Sequence, residues 1–285
     1  MAAALKSPIH RMGGKYYLTG WLSQYMPEHV CYVEVFSGAG HLLFSKKPSL
    51  IEVLSDVDNS LISFFRVMKD AGERAKLVET LEFMPYSRAL WQEMRTRWKA
   101  GDLPEDGIEK VAEWFYLNRT CFGGDQRTAG FAAPSVTGRN PVQSFRNAVD
   151  SFESAAKRLR NVCIENLSYG EVIRKYDSPG TLFYADPPYL NAEGYYGDSF
   201  TQDDHCKLAE LLHSVRGSVM LSHYRNSLYD DLYRGWRRHE YQSFKGSHKA
   251  EPGAEKPVTT EILYTNFEPF KTRSLFSHAV SECFQ

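Results

Sequence analysis

The stretch Thr181-Leu-Phe-Tyr-Ala-Asp-Pro-Pro-Tyr189 decides the fold of this 285-residue chain. Its first five residues suit a buried strand. The two prolines donate no N–H to a ladder, and each pushes the preceding residue into an extended conformation. The strand must therefore end at Asp186, so that Asp186, Pro187, Pro188 and Tyr189 form a stiff rim at its carboxyl end. In open α/β sheets this rim is where ligands bind.

The rim has the groups needed to hold a planar heterocycle that carries an exocyclic amine. The carboxylate of Asp186 and the carbonyl of Pro187 can each accept an N–H bond, and the ring of Tyr189 can stack on the heterocycle. The alternative is a proline-stiffened turn whose acid caps the next helix, because short motifs carry a real false-positive risk. The choice depends on whether the chain supplies a second binding site.

A strand–glycine turn–helix pattern near the N-terminus provides such a site. The β-branched and aromatic run 30–36 is followed by Ser37-Gly-Ala-Gly40 and then by a helical pattern from His41. This geometry brings helix N–H groups and bare backbone against a ligand. The third glycine of the dinucleotide fingerprint would fall at Leu43, and no Gly-Lys-Ser/Thr follows, so neither that fingerprint nor a P-loop is present.

The next predicted strand, residues 51–55, ends at two acids. An acid about 20 residues beyond the glycine turn is where such folds bind ribose hydroxyls. Asp56 is the first candidate for that role and Asp58 the second. Asp58 or Asn59 is also expected to cap the helix that follows. Further upstream, Gly13-Gly14-Lys15 combines close backbone approach with a cation.

The bulk composition excludes several classes of protein. Net charge is −1, 42% of residues are hydrophobic, and no apolar stretch reaches the ~18 residues of a membrane span. The N-terminus lacks a signal-peptide pattern, and the five cysteines are scattered without a C-x-x-C pair. We therefore expect a cytoplasmic protein without a disulfide framework or a zinc site.

The remaining segments predict an α/β protein with an insertion. Residues 70–118 have helical periodicity, 119–141 are loop-like, basic and glycine-bearing, and 143–159 read as one helix. Further strands are expected near 162–165, 219–222, 238–244 and 258–264, and Thr201 to Asp204 reads as a capping box for a helix through Val215. Basic residues cluster in 1–20, 119–149 and 234–249, which could form one basic face or three ordinary solvated loops.

These motifs, taken in order, resemble those of the Dam-like DNA adenine N6-methyltransferases. The resemblance runs from about Pro8 to Phe267 and covers Gly13-Gly14-Lys15, Phe36-Ser-Gly-Ala-Gly40, Asp56, the 117–119 region and Asp186 to Tyr189. It implies an α/β fold with a Rossmann-like class I sheet and a helical/hairpin target-recognition insert. On this reading the catalytic domain comprises 1–69 and 160–270, the insert comprises 70–159 with a basic loop at 119–147, and 271–285 form a peripheral tail.

The resemblance also implies the cofactor and the residues that contact it. The cofactor would be S-adenosylmethionine (SAM), and the reaction would require no metal. Two positions depart from the family pattern, since Arg11 replaces a usual aromatic residue and Val35 a common proline. The expected catalytic residues are Asp186, Pro187, Pro188 and Tyr189. The expected cofactor contacts are Arg11, Lys15, Phe36, Gly38, Gly40, Asp56 and Asp186.

The implied partner is double-stranded DNA, with no obligate protein partner. The target adenine would have to leave the duplex to reach the rim. A cytosine N4-methyltransferase, which usually has serine at the position of Asp186, and a non-catalytic DNA-binding relative are the alternatives. The expected DNA contacts are Arg119, Arg127, Arg139 and Arg146 in a base-reading hairpin, and Lys245 and Lys249 at phosphates.

Overall fold

The computed structural model describes residues 5–11, 13–126, 128–190, 200–244 and 258–269. A seven-stranded sheet in the order β3-β2-β1-β4-β5-β7-β6 forms its centre. Strands β1 to β5 are parallel, and β7 runs antiparallel to both β5 and β6. The strands are β1 (Cys31–Glu34), β2 (Ile51–Ser55), β3 (Val162–Glu165), β4 (Thr181–Ala185), β5 (Ser218–Tyr224), β6 (Arg237–Phe244) and β7 (Val258–Thr265).

The strand order reverses between β1 and β4, which are neighbours in the sheet. Glu34 pairs with Tyr184 across this junction and with Leu54 on the other side, so the carboxyl ends of β1, β2 and β4 lie level. In open α/β sheets the crevice outside such a reversal binds the ligand. The glycine turn after β1, the acids after β2 and the rim after β4 therefore face one crevice.

Helices cover both faces of the sheet, and six of the described α-helices lie between β2 and β3 in sequence. The helices are α1 (Thr19–Ser23), α2 (His41–Ser45), α3 (Asn59–Lys69), α4 (Ala71–Phe83), α5 (Arg88–Ala100), α6 (Gly107–Thr120), α7 (Pro141–Asp150), α8 (Phe152–Leu159), α9 (Tyr169–Tyr176), α10 (Gln202–Ser214) and α11 (Ser227–Leu232).

Alternation along the strands divides the core into two clusters. Tyr32 and Leu182 point to the side that carries α1 to α8, whereas Val33 and Phe183 point to the side that carries α9 to α11. On the first side, Phe64 of α3 stacks on Phe115 of α6 with ring centroids 5.3 Å apart. The helices between β2 and β3 thus share one continuous apolar core with the sheet.

Several local predictions are confirmed by the structure. The side chain of Asp58 accepts bonds from the backbone N–H groups of Ser60 and Leu61, and so caps α3. Thr201 and Asp204 form the predicted capping box of α10. All seven strands lie where the sequence placed them, within a few residues at the ends.

The prediction of a single helix over 143–159 is wrong, and the expected hairpin after Asn118 is represented among the described residues by one antiparallel bridge. Helix α6 continues through Thr120, and the described residues that follow form a 3₁₀ turn and one antiparallel bridge, Cys121 to Phe131, without a paired ladder. Gly123 adopts φ 67° inside that turn, a left-handed conformation that breaks any extended strand. The expected single helix divides at Ser151, the residue between α7 and α8.

No helix among the described residues is long and apolar enough to cross a membrane. Cys31, Cys121, Cys163 and Cys206 carry free thiols. The expected peripheral tail, 271–285, lies outside the described residues.

Candidate active site

The turn after β1 requires its two glycines because both have left-handed backbone conformations. Gly38 has φ 46°, and Gly40, the residue before α2, has φ 67°. A side chain at either position would be strained. The backbone N–H of Gly38 donates to the Asp56 carboxylate at 2.9 Å, which fixes the turn against the end of β2. The turn thereby presents bare backbone to the crevice.

Both acids after β2 line the crevice. The carboxylate of Asp56 accepts bonds from the N–H groups of Gly38 and Asp58, at 2.9 and 3.0 Å. Burial raises the pKa of Asp56, and the nearby Arg11 guanidinium opposes that shift. Asp58 is already occupied, because it caps α3 and pairs with Arg11 at 2.6 Å.

Asp186, in the rim after β4, is held through one of its two carboxylate oxygens. Oδ1 accepts a hydrogen bond from the Ser222 hydroxyl at 2.9 Å and lies 3.4 Å from the Lys15 ammonium. Ser222, at the end of β5, also bonds to the hydroxyl of Tyr184 at 3.0 Å. Within the described part of the chain no hydrogen bond engages Oδ2. The carboxylate is therefore anchored while one acceptor remains for a ligand.

Lys15 is a buried cation between two carboxylates. Its ammonium group lies 2.9 Å from Oε1 of Glu261 in β7 and 3.4 Å from Oδ1 of Asp186, and the residue is 7% exposed. Burial alone would lower the pKa of Lys15, but Asp186 and Glu261 outweigh it and raise that pKa. The ammonium is thus fully charged and turned toward the rim.

The hydroxyl of Tyr189 belongs to the same network. It accepts a hydrogen bond from Lys15 and donates one to Glu261. The Lys15 nitrogen also lies 4.3 Å from the centroid of the Tyr189 ring, and the rings of His223 and Tyr224 pack 4.5 Å from it. Burial, followed by the nearby carboxylates, raises the pKa of Tyr189 well above its usual range. Tyr189 is therefore held by its hydroxyl as well as by ring packing.

Glu34, at the end of β1, lies on the floor of the crevice. It is 2% exposed, and its Oε1 accepts bonds from the Tyr32 hydroxyl and the Leu43 N–H, both at 2.7 Å. Burial raises the pKa of Glu34 to about 7, against the opposing effect of these two donors. An acid in this state exchanges its proton near neutral pH.

The glycine turn, Asp56, Asp186, Lys15 and Glu34 line one cavity of about 530 Å³, whereas Pro187 and Tyr189 do not line it. Phe36 contributes an apolar wall and packs at 5.9 Å on Tyr169. The helices between β2 and β3 also reach this wall through Trp98 and Trp114. The cavity brings together the following predicted site residues: Arg11, Lys15, Phe36, Gly38, Gly40, Asp56, Asp186 and Pro188.

Two hydrogen bonds join the N-terminal segment to the end of α6. The side-chain amide of Asn118 accepts from the N–H of His10 at 3.0 Å and donates to its carbonyl at 2.7 Å. A Cβ on Gly124 would come within 2.5 Å of that carbonyl, so only glycine fits there. The segment that carries Arg11 and Lys15 is thus held by the insertion.

Two of the expected DNA-contacting arginines are structural instead. Arg119 is 7% exposed and donates to the carbonyl and hydroxyl of Ser144, at 2.6 and 2.9 Å, and burial lowers its pKa to about 10. Arg146 donates to the carbonyls of Leu81 and Met84, at 3.0 and 3.2 Å. Both guanidinium groups tie helices together, so the expectation that they read bases is wrong.

Of the other four expected DNA contacts, the structure describes only Arg139. Arg139 is exposed, with its guanidinium 4.6 Å from the centroid of the Phe122 ring. The three arginines of the third basic cluster, residues 234–249, are paired: Arg234 with Asp231, Arg237 with Glu268 and Arg238 with Glu240. Arg127, Lys245 and Lys249 lie outside the described residues.

Sequence reasoning missed Glu34, Ser222 and Glu261 as members of the site. Glu34 and Glu261 are acids inside strands whose other residues are largely apolar, and that mismatch was the available signal. Buried acids almost always have partners, which here are Tyr32, Leu43 and Lys15. Ser222 carried no comparable signal.

A mostly parallel seven-stranded sheet that reverses order at β1 and β4, with a glycine turn after β1 and an acid–proline–proline–tyrosine rim after β4, has the architecture of the class I methyltransferase fold. Residues 12–246 match the family described as D12 class N6 adenine-specific DNA methyltransferase. The chain belongs to this family, and the predicted enzyme class is confirmed. Its members act on DNA and require a methyl donor.

Curated relatives agree with this assignment over most of their length. A DNA adenine methylase of Vibrio cholerae serotype O1 is 27% identical over 238 residues, covering 78% of this chain and 83% of the relative. The Type II methyltransferase M.CviBI of Paramecium bursaria Chlorella virus NC1A is 24% identical over 271 residues, covering 92% and 100%. The Type II methyltransferase M1.LlaDCHI of Lactococcus lactis subsp. cremoris is 26% identical over 270 residues, covering 90% and 93%.

Proposed function

We propose that the protein transfers the methyl group of SAM to N6 of an adenine flipped out of double-stranded DNA. The observation that carries the proposal is the position of Asp186. Its carboxylate lies in the wall of the same cavity that holds the glycine turn and Asp56. Methyl donor and acceptor amine would thus meet at one carboxylate.

The residues of the cavity fit this cofactor. A volume of about 530 Å³ is in the range of small-molecule sites. Gly38 and Gly40 let backbone approach the methionine part, the Asp56 carboxylate can accept the ribose hydroxyls, and Phe36 offers an apolar face. Arg11 stands beside Asp56 as a further contact. SAM supplies an electrophilic methyl group on a positively charged sulfur.

Asp186 and Pro187 perform the chemistry on the adenine side. The adenine amine is a poor nucleophile because its lone pair is delocalised into the ring. If Oδ2 of Asp186 and the carbonyl of Pro187 each accept one N–H bond, the nitrogen becomes more tetrahedral and its lone pair turns toward the methyl carbon. Pro188 keeps the rim stiff. Such catalysis is positioning plus electrostatics, with Asp186 placed to receive the proton that the amine loses.

The base must be extruded from the duplex before it can reach Asp186. Extrusion costs a few kcal/mol, and stacking on Tyr189 would offset part of it. Specific contacts would come from Arg139 and Arg127, and phosphate contacts from Lys245 and Lys249. In this scheme residues 1–69 and 160–270 form the catalytic domain, and 70–159 form the target-recognition insert. Free cysteine thiols and a DNA substrate support a cytoplasmic location.

The test is to incubate duplex DNA with SAM labelled in its methyl group and to identify the modified nucleoside. We expect N6-methyladenine from the wild-type protein. Asp186→Ala should reduce the rate to a small fraction while the protein still folds, because Asp186 lies beyond the last residue of β4 and Lys15 keeps Glu261 as its carboxylate partner. Label on cytosine N4, or an Asp186→Ala rate near that of the wild type, would overturn the proposal.

A further inference from the structure

Glu261 is a buried acid for which the proposed reaction has no direct use. It is 3% exposed, in the middle of β7, and the two strands beside it are β5 and β6. A buried carboxylate is costly unless it is paired and hydrogen-bonded. Its partners are Lys15 from the N-terminal segment and Tyr189 from the rim, so Glu261 joins three separate parts of the chain.

We propose that Glu261 is a positioning residue that draws the Lys15 ammonium away from Asp186 and fixes the Tyr189 ring. The proposal rests on the proposed function, in which Asp186 accepts the adenine amine. The ammonium lies 2.9 Å from Glu261 and 3.4 Å from Asp186, so Glu261 is its closer partner.

The physical reason is competition for one acceptor. An ammonium bonded fully to Asp186 would occupy carboxylate capacity that the amine needs, and it would reduce the negative charge that the amine senses. With Glu261 present, the cluster formed by Lys15, Asp186 and Glu261 contains two carboxylates and one cation. Asp186 thereby keeps its accepting power, with Oδ1 steadied by Ser222 at 2.9 Å.

Glu261 also explains the fixed orientation of Tyr189. The tyrosine hydroxyl donates to Glu261 and accepts from Lys15. Two hydrogen bonds at the end of the ring prevent it from swinging, so the ring plane is set before a base arrives. Stacking alone would use only the ring, and Tyr189→Phe would then have no effect; the network predicts that the hydroxyl contributes.

The decisive variant is Glu261→Gln, which keeps the shape and an acceptor oxygen but removes the charge. Lys15 would then have Asp186 as its only carboxylate partner in the network. We expect kcat for methyl transfer to fall roughly tenfold or more while KM for SAM stays within about twofold, because an interaction used in the transition state is lost. A merely structural role would leave both constants unchanged once the protein is folded.

Glu52→Gln is the matched control. Glu52 is likewise a 3% exposed acid in a strand, bonded to Arg158 at 2.8 Å and to Lys46. It is not part of the catalytic crevice, so its loss should lower the unfolding midpoint while kcat is retained. If the two variants lose the same stability but only Glu261→Gln loses kcat, folding damage is excluded as the cause.

Tyr189→Phe removes the hydroxyl that donates to Glu261, and so tests the same hydrogen bond. If Glu261→Gln does not fold, this variant alone tests the role of Glu261. We expect a several-fold lower kcat, and the double variant should be little worse than Glu261→Gln alone, since residues that act as a unit are not additive. Wild-type kcat in both single variants, or in Tyr189→Phe where only that protein folds, would overturn the role of Glu261. Failure of the wild type to methylate adenine would instead overturn the proposed function.

Discussion

Glu34→Gln should make the protein more stable above neutral pH, and the structure sets the size of the effect. The glutamine keeps an acceptor oxygen for the Tyr32 hydroxyl and the Leu43 N–H, and it removes only the charge. The pKa of Glu34 is raised from its ordinary 4.5 to about 7, with burial as the main cause. The native state therefore holds a proton that the unfolded state has already lost between these two pH values.

The sign and magnitude follow from proton linkage. Below pH 4.5 the acid is neutral in both states and carries no charge penalty. As pH rises from there to about 7, the native state binds more protons than the unfolded state, so wild-type stability falls. At about 1.4 kcal/mol per pH unit, the interval amounts to roughly 3 kcal/mol, which applies in full above pH 7.

The assay is urea unfolding of wild type and variant at several pH values between 4.5 and 8.5. The stability of Glu34→Gln minus that of wild type should rise from near zero to about 3 kcal/mol across this range. Other titrations, such as those of the buried histidines, occur in both proteins and cancel. Glu52→Gln is the contrast, because bonds to Arg158 and Lys46 outweigh burial and lower the pKa of Glu52. The unfolding free energy of Glu52→Gln minus that of wild type should be negative and should not change between pH 6 and 8.5. A pH-independent difference for Glu34→Gln would refute the reasoning.

Three further predictions concern ligand contacts. Asp56→Ala should weaken SAM binding roughly tenfold or more by calorimetry, the loss of one or two charge-assisted hydrogen bonds, and unchanged affinity would remove Asp56 from the cofactor site. Asn118→Ala should cost about 1–3 kcal/mol in unfolding free energy, because two partly buried backbone groups of His10 lose their partner, and should also weaken SAM binding by freeing the segment that carries Arg11. Arg139→Ala should relax the target motif in methylation profiling of a random-sequence DNA pool, whereas Arg146→Ala should lower stability and leave the motif unchanged; a wild-type motif in Arg139→Ala would exclude it as a base reader.

Local signals in the sequence were sufficient to predict the helices and strands and the three strand ends that form the candidate site. Strand runs that end in Gly-Ala-Gly40, in Asp56 and in Asp186 imply three strand ends with chemistry at each. If the strands are parallel, those ends lie at one edge of the sheet. The cap of α3 at Asp58 and the capping box at Thr201 depend on residues two or three positions apart, so sequence alone reveals them.

Residues whose role depends on distant partners could not be assigned in this way. Arg119 looks like a DNA contact in a basic, glycine-bearing stretch, but Ser144, 25 residues later, takes its guanidinium. Glu261 reads as an irregular strand residue until Lys15 and Tyr189, 246 and 72 residues away, meet it.

The sequence by itself therefore determined the sheet elements, the family and the position of the rim after β4, because short-range backbone preferences and motif spacing encode them. The tertiary structure alone decided which charged side chains pair with other residues inside the protein and which face a substrate. A guanidinium or carboxylate has the same chemistry in either place. Only the packing of strands and helices far apart in the chain sets its burial and its partner, as it does for Arg119, Glu34 and Glu261.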